Sequence, residues 1–405
     1  MKVETLLFLV AAAIFSLTVV RSSPDASYFW HIPDVHMEKD YVVNSATSEH
    51  CLRGSSSTSP AGTYGAFNCD LPERTYEAAL IWLKANYPNP AFVLWGGDSI
   101  SHWFLELNNS LVAWHMKRVN DLLDSYIPKG TKILPTLGNH DTVNFQIPVL
   151  PGGDPWLYDL SAELWGKYLS DESKKTIALG GYFSERVGPG LLVVGFNTAV
   201  FYQENKLVKE DDPDPFGQFA WMRSTLTAAR QAGDKVLVFS HIPPGYTLGM
   251  SAYIPVFNGR VLTALEGFED VILGSFWGHN HMDSIVMMGE KGVFHPGFLT
   301  GSIAEYQANP AVKVFHFDAQ KRVLLDYSVA YMDLLASNSQ GKPIWVESYQ
   351  ATKAFGIKDL TTASMLQAIK YLDSNRTALV QFYDRMNSHA PKPLDPCEDF
   401  CQMVL

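Results

Sequence analysis

Basic charge is what this chain most lacks: 31 Lys and Arg stand against 42 Asp and Glu, a formal net charge of −11 over 405 residues. That balance argues against a general nucleic-acid binder, whose phosphate contacts need clustered Lys and Arg. A small anionic substrate stays open, because the charge of a bound metal outweighs the global field locally. Long apolar runs are scarce as well. Beyond Val20 none is long enough to span a bilayer, and the stretch Phe400 to Leu405 lacks the hydrophobic tail of a GPI signal. Internal repeats and low-complexity segments are absent, and cysteine is limited to four residues. With 47% apolar and 18% charged residues the composition is that of an ordinary globular protein, neither disordered nor collagen-like. The length suits one large core, or a large core with a smaller lobe.

What is present starts at the N-terminus. Lys2 precedes an apolar run from Thr5 to Val20, followed by Arg21-Ser22-Ser23-Pro24. This is the layout of a cleavable signal peptide over residues 1–23, too short for a spanning helix. A secreted, soluble mature protein is therefore expected, with the lysosome as the other compartment. Four cysteines suit that oxidising setting and allow three pairings. The local pairing, Cys51 with Cys69 and Cys397 with Cys401, is expected. Asn108 and Asn375 open Asn-x-Ser/Thr sequons and are expected glycosylation sites.

The middle of the chain repeats one pattern, a short apolar segment running into a polar motif. Tyr28–Ile32 leads into Asp34-Val35-His36, Pro90–Trp95 into Gly96-Gly97-Asp98, and Lys132–Leu137 into Gly138-Asn139-His140-Asp141. Lys235–Phe239 leads into Ser240-His241, and Val271–Trp277 into Gly278-His279-Asn280-His281. Continuous apolar runs of this length predict strands buried on both faces. A helix is predicted over Glu73–Asn86, with Asp70 as its cap and Leu80 and Leu83 on one face. Strand–helix alternation predicts α/β layering, with the ligand site beyond the carboxyl ends of the strands, where all five motifs fall. Leu191–Asn197 and Val312–Phe317 are further predicted strands. A helical pattern over Asp359–Met386 predicts a C-terminal lobe, residues 331–405, packed on a main domain of residues 24–330.

Asp34, His36, Asp98, Asn139, His241, His279 and His281 have ligand chemistry. Two metal ions that keep positions open for water and substrate need about seven or eight protein contacts, one of them shared. Asp98, at the tip of a Gly-Gly-Asp turn, suits the shared role, since one carboxylate can bind two ions. His36 lies two residues after Asp34 and His281 two after His279. On an extended segment this puts both members of each pair on one side. Asn139 adds a neutral carbonyl oxygen. Mixed N and O donors without Cys favour Zn(II), Mn(II) or Fe, with zinc the default outside the cell. His31, His50, His115, His295, His316 and His389 fall outside the motifs and read as structural. Trp30, Trp95 and Trp277 read as core anchors, Tyr246 as either packing or substrate contact, and Asp141 as a partner orienting His140 or a ligand.

The set resembles the calcineurin-like metallophosphoesterase superfamily, whose pattern Asp-x-His, Gly-Asp, Gly-Asn-His-Asp/Glu, His, Gly-His-x-His is met at every step. Flanking residues narrow the likeness. Phe29-Trp30-His31, Gly97-Asp98-Ser99 with His102, Ser240-His241-Ile242-Pro243-Pro244-Gly245-Tyr246 and Trp277 to Asp283 look like the acid sphingomyelinase-like phosphodiesterases, from about Tyr28 to about Phe382. Departures are Pro33 and Gly96 where the family often has Thr or Ser, a loose match over Pro296 to Glu305, and a short tail after Cys401.

The resemblance implies a layered metallophosphoesterase-type β-sandwich flanked by helices, with a small helical C-terminal lobe. It implies one divalent ion held by Asp34, His36, Asp98 and His281, and a second held by Asp98, Asn139, His241 and His279. His140 is implied on the substrate phosphate, with His102 nearby as the other candidate acid. The expected reaction is in-line attack on phosphorus by a hydroxide that the two ions activate. Acid sphingomyelinase carries an N-terminal saposin-type domain, whereas few residues separate the signal from Tyr28 here. Small soluble phosphodiesters or pyrophosphates, such as nucleotides and CDP-choline-like compounds, are therefore expected ahead of sphingomyelin. A metal-free secreted binding module is the alternative of another class. A monomer is expected, with no nucleic-acid polymer as partner.

Overall fold

The structure, a computed structural model, describes residues 26–54, 59–104, 106–245, 251–290, 293–304 and 308–391. The expected signal segment, Tyr246, Cys397 and Cys401 lie outside the described residues. Twelve strands occur among those described. In chain order they are β1 (Ala26–Ile32), β2 (Phe92–Trp95), β3 (Lys132–Pro135), β4 (Phe183–Gly188), β5 (Leu191–Gly195) and β6 (Lys235–Phe239), then β7 (Ile272–Trp277), β8 (Ser284–Glu290), β9 (Val293–Leu299), β10 (Ala311–Asp318), β11 (Val323–Met332) and β12 (Trp345–Gln350). They form two six-stranded sheets, ordered β12-β11-β10-β1-β2-β3 and β4-β5-β6-β7-β9-β8.

The strands that carry the motifs are the buried, parallel ones. In the first sheet β1, β2 and β3 run parallel; in the second β5, β6 and β7 do. Their side chains are almost all buried, because helices cover one face and the other sheet covers the opposite one. Aromatic rings hold the sheets together. Phe29 of β1 stacks on Phe92 and Phe315 at centroid distances of 4.6 and 5.2 Å, and Phe276 of β7 meets Phe29 and Phe315 edge-on at 5.4 and 4.8 Å. Each such pair adds about 0.5–1.5 kcal/mol beyond area burial. Trp30, Trp95 and Trp277 are buried in the same core.

The helix Glu73–Asn86 forms with the predicted bounds and buries Tyr76, Ala79, Leu80 and Leu83. Its cap is not Asp70. Pro72 occupies the N-cap position, without a side-chain hydrogen bond, and Asp70 is turned inward instead. The expected boundary between residues 330 and 331 falls inside β11, and β12 returns to the same sheet before the helices Thr362–Ser374 and Arg376–Met386. Cys51 and Cys69 are disulfide-bonded over a small buried cluster with Ala61. Asn108 and Asn375 both serve as helix N-caps, their side chains accepting from Leu111 and Ala378 N–H.

Candidate metal centre

All seven expected ligands meet where the carboxyl ends of β1, β2, β3, β6 and β7 converge. Donor atoms of Asp34, His36 and His281 lie within 4.8 Å of one another, and so do those of Asp98, His241 and His279. Asp98 stands between the groups, with Oδ2 at 3.4 Å from His36 Nε2 and 3.1 Å from His241 Nε2. Asn139 Oδ1 joins the second group, 3.1 Å from His241 Nε2 and 2.8 Å from His279 Nδ1.

The backbone that achieves this is not the extended segment the spacing suggested. Asp34, His36, Asp98, His279 and His281 have φ of 53, 43, 60, 70 and 58°. For residues with a Cβ that conformation costs roughly 1–2 kcal/mol each, and it persists only where the surroundings over-determine it. Here they do. Asp34 N–H donates to Gly97 O, Val35 and His36 N–H both donate to Asp98 O, and His279 N–H meets both Asp34 carboxylate oxygens, all at 3.0 Å. Two glycines permit the close packing of these loops. A Cβ on Gly138 would lie 2.0 Å from Asp98 Oδ1, and one on Gly278 would lie 2.6 Å from Asp34 Oδ2.

The donor set fits cations. Ile100 O accepts from His36 Nδ1–H at 2.9 Å and Gly96 O from His241 Nδ1–H at 2.7 Å, so each ring points Nε2 inward, the atom that carries the lone pair when the ring is neutral. His36 Nε2 faces His281 Nε2 at 3.0 Å, and His241 Nε2 faces oxygens of Asp98 and Asn139. Converging lone pairs of N and O donors describe a site for divalent ions. Burial holds His36 and His281 well below the usual imidazole range and pushes His279 down to about 3, the neutral form that metals require. Burial likewise raises Asp34 to about 7. The pair Asp98 and His241 departs from this pattern. Burial opposes charge on both, yet their mutual attraction raises His241 to about 9 and holds Asp98 well below the carboxylate range. His241 would have to give up that proton to serve as a ligand to a cation.

His102 and His140 lie beside the ligands. With His36 they form a third convergent group; the His102 ring stacks on His36 at 3.8 Å and meets His140 edge-on at 4.5 Å between centroids. His140 N–H donates to Asp98 Oδ1 at 2.7 Å. Asp70 accepts from both Nδ1–H and the backbone N–H of His102, at 2.8 and 2.5 Å. Ser101 Oγ lies between Asp70 and Glu38, 2.9 and 2.6 Å away. Sequence reasoning missed this acidic support of His102, because Asp70, Ser101 and Glu38 sit outside the strand-end motifs. One signal was available, the anchoring of Asp70 next to Cys69. Asp141 accepts from the N–H groups of Gly138, Asp98 and Ser99 at 2.9, 2.9 and 2.8 Å. It ties the loops after β2 and β3 together and holds the backbone of Asp98, so of the two expected roles it orients a candidate ligand and not His140. The other histidines stay out of the site: His31 bonds Thr300 at 2.7 Å and His115 bonds Leu111 O at 2.9 Å.

The calcineurin-like phosphoesterase family matches residues 27–283, and the acid sphingomyelin phosphodiesterase C-terminal region matches residues 298–404. Human acid sphingomyelinase-like phosphodiesterase 3b is 31% identical, over 98% of this chain and 90% of the relative. A human cyclic GMP-AMP phosphodiesterase is 30% identical, over 90% of this chain and 83% of the relative. A Dictyostelium discoideum sphingomyelinase phosphodiesterase C is 26% identical, over 98% of this chain and 93% of the relative. The chain belongs to the calcineurin-like metallophosphoesterases and, among them, to the acid sphingomyelinase-like phosphodiesterases, hydrolases of phosphodiester bonds.

Proposed function

We propose that this enzyme hydrolyses phosphodiester or pyrophosphate bonds in small soluble substrates, nucleotides or CDP-choline-like compounds. In this reading Asp34, His36, Asp98 and His281 hold one divalent ion, and Asp98, Asn139, His241 and His279 hold another, zinc being the expected metal. The observation that carries it is a pair of histidines beyond the needs of the ligand set, His102 and His140, grouped with the ligand His36. Bound divalent ions supply Lewis acidity and an activated water. The side chains do the rest. Burial lowers His140 to about 4, so it stays neutral and donates a hydrogen bond to a phosphoryl oxygen. Burial also works against charge on His102, but the Asp70 carboxylate outweighs it and raises the pKa. With Nδ1–H held by Asp70, His102 serves as the proton donor to the leaving oxygen.

The disulfide and the two sequon asparagines support a secretory route, with residues 1–23 as its leader. A second reading, sphingomyelin as substrate, is favoured by one feature. Trp103 and Phe104 directly follow His102 in the chain and are 37% and 39% exposed, two large apolar side chains open to solvent. Purified protein supplied with Zn(II) and assayed in parallel on ATP, CDP-choline, bis-p-nitrophenyl phosphate and sphingomyelin micelles separates the two. Turnover of the soluble compounds is expected, and turnover of sphingomyelin alone would reverse the ranking.

A further inference from the structure

The motif that supplies His279 and His281 ends on Asp283, which no step of the mechanism uses. Its carboxylate is fully buried and meets the Lys313 ammonium, itself 1% exposed, at 2.5 Å. A buried ion pair is an expensive way to fill a core, and hydrophobic residues of similar volume often serve as well or better. What this pair joins is informative. Asp283 lies two residues beyond His281 on the loop after β7, and Lys313 is on β10 of the opposite sheet. Tyr349 of β12 adds its hydroxyl to the other carboxylate oxygen at 2.7 Å, and Asp283 N–H donates to Met386 O at 3.0 Å. Lys313 is held in turn by Leu299 O at 2.6 Å and lies 4.6 Å from the centre of the Tyr327 ring.

The loop between these anchors needs them. His279 and His281 are both left-handed at φ 70 and 58°, and neither is glycine, so their conformation must be imposed from outside. The start of the loop is pinned where Asp34 takes the His279 N–H. The end is pinned at the His281 carbonyl, which accepts from Ser302 N–H at 3.3 Å, and two residues further on through the side chain of Asp283. Every group on Asp283 comes from the chain after residue 298, the part that matches the acid sphingomyelin phosphodiesterase C-terminal region, while Asp283 is the last residue of the calcineurin-like match.

We propose that Lys313, with Tyr349, is a positioning residue that sets His281 for cation binding through Asp283, so that the C-terminal region completes the metal centre. The effect is selective. It acts on the group formed by Asp34, His36 and His281 more than on the one formed by Asp98, Asn139, His241 and His279. The inference rests on the reading of these histidines as metal ligands.

Zn(II) titration calorimetry on the chelator-treated full chain tests it, beside thermal denaturation of the same samples. Lys313→Met is expected to weaken one of two binding events by about 10- to 100-fold, the usual effect of losing a residue that orients a ligand, and to leave the other near its wild-type value. Lys313→Arg is expected to restore much of the lost affinity. The double variant Asp283→Asn/Lys313→Met leaves no unpaired buried charge, so it is expected to regain thermal stability without regaining affinity. Recovery of affinity together with stability would reduce the pair to a structural role and overturn the proposal. Should Lys313→Met fail to fold, Tyr349→Phe and the double variant carry the test, and wild-type affinity in both would also overturn it. A wild-type chain that binds no zinc would instead overturn the metal reading and this inference with it. A wild type with two events beside an unchanged Lys313→Met would overturn the positioning role alone.

Discussion

A histidine whose Nδ1–H is taken by a backbone carbonyl has one atom left to offer, and His36 and His241 are set in this way by Ile100 and Gly96. The residue types and their spacing made such ligands legible in the sequence. The left-handed backbone at Asp34, His36, His279 and His281 was not, because it is imposed by hydrogen bonds from loops remote in the chain. Nor was the role of Asp70, which pairs with His102 across 32 residues. These local facts fix two expectations. His140→Ala should lower kcat on the order of 10²–10⁴-fold, as for a lost acid–base or hydrogen-bonding group, while metal content by elemental analysis stays near two per chain; an unchanged kcat would remove His140 from the mechanism. Asp70→Asn should lower kcat and shift the alkaline limb of the kcat–pH profile downward. The sign follows from the carboxylate, which raises the His102 pKa in the native enzyme, so that without it His102 loses its proton at lower pH. A limb that stays in place would remove His102 as the acid.

Among the elements, the buried parallel strands declared themselves as continuous apolar runs, and β6 and the helix Glu73–Asn86 fall on their predicted bounds. The strands β11 and β12 did not, since one alternates between buried and half-buried positions and the other, at the sheet edge, is half-buried to exposed with no buried residue, leaving no apolar run to read. Junctions carry the chemistry. At Gly278, between β7 and the His279–His281 loop, an added Cβ would also lie 2.7 Å from Pro33 Cβ, in the loop after β1. Gly278→Ala is therefore expected to push Asp34 out of place. Metal content should drop below the wild-type level, with little change in far-ultraviolet circular dichroism. Full metal loading in that variant would show that the two loops can part without cost.

For the molecule as a whole, the two sheets work as one device: each brings parallel strand ends to the same edge of the sandwich, and neither sheet alone supplies a full ligand set. The same dense core sets a limit in acid. Burial lowers His115 and His295 to about 4, below the usual value of about 6.5 in an unfolded chain. The folded state therefore binds fewer protons in this window, and stability present above about pH 6.5 is lost as pH falls toward 4, by on the order of 3 kcal/mol per histidine at the limit. Urea midpoints at pH 7 and pH 5 should show the fall, and His115→Gln/His295→Gln should flatten part of it; equal midpoints in the native chain would contradict it. The central claim, that seven side chains from both sheets bind two divalent ions, is tested most directly by elemental analysis after Zn(II) loading and desalting. The expected result is about two zinc ions per chain, falling to one or fewer in Asp98→Ala, the residue that stands between the two groups. A native chain that retains no zinc, or an Asp98→Ala variant that still retains two, would contradict the account.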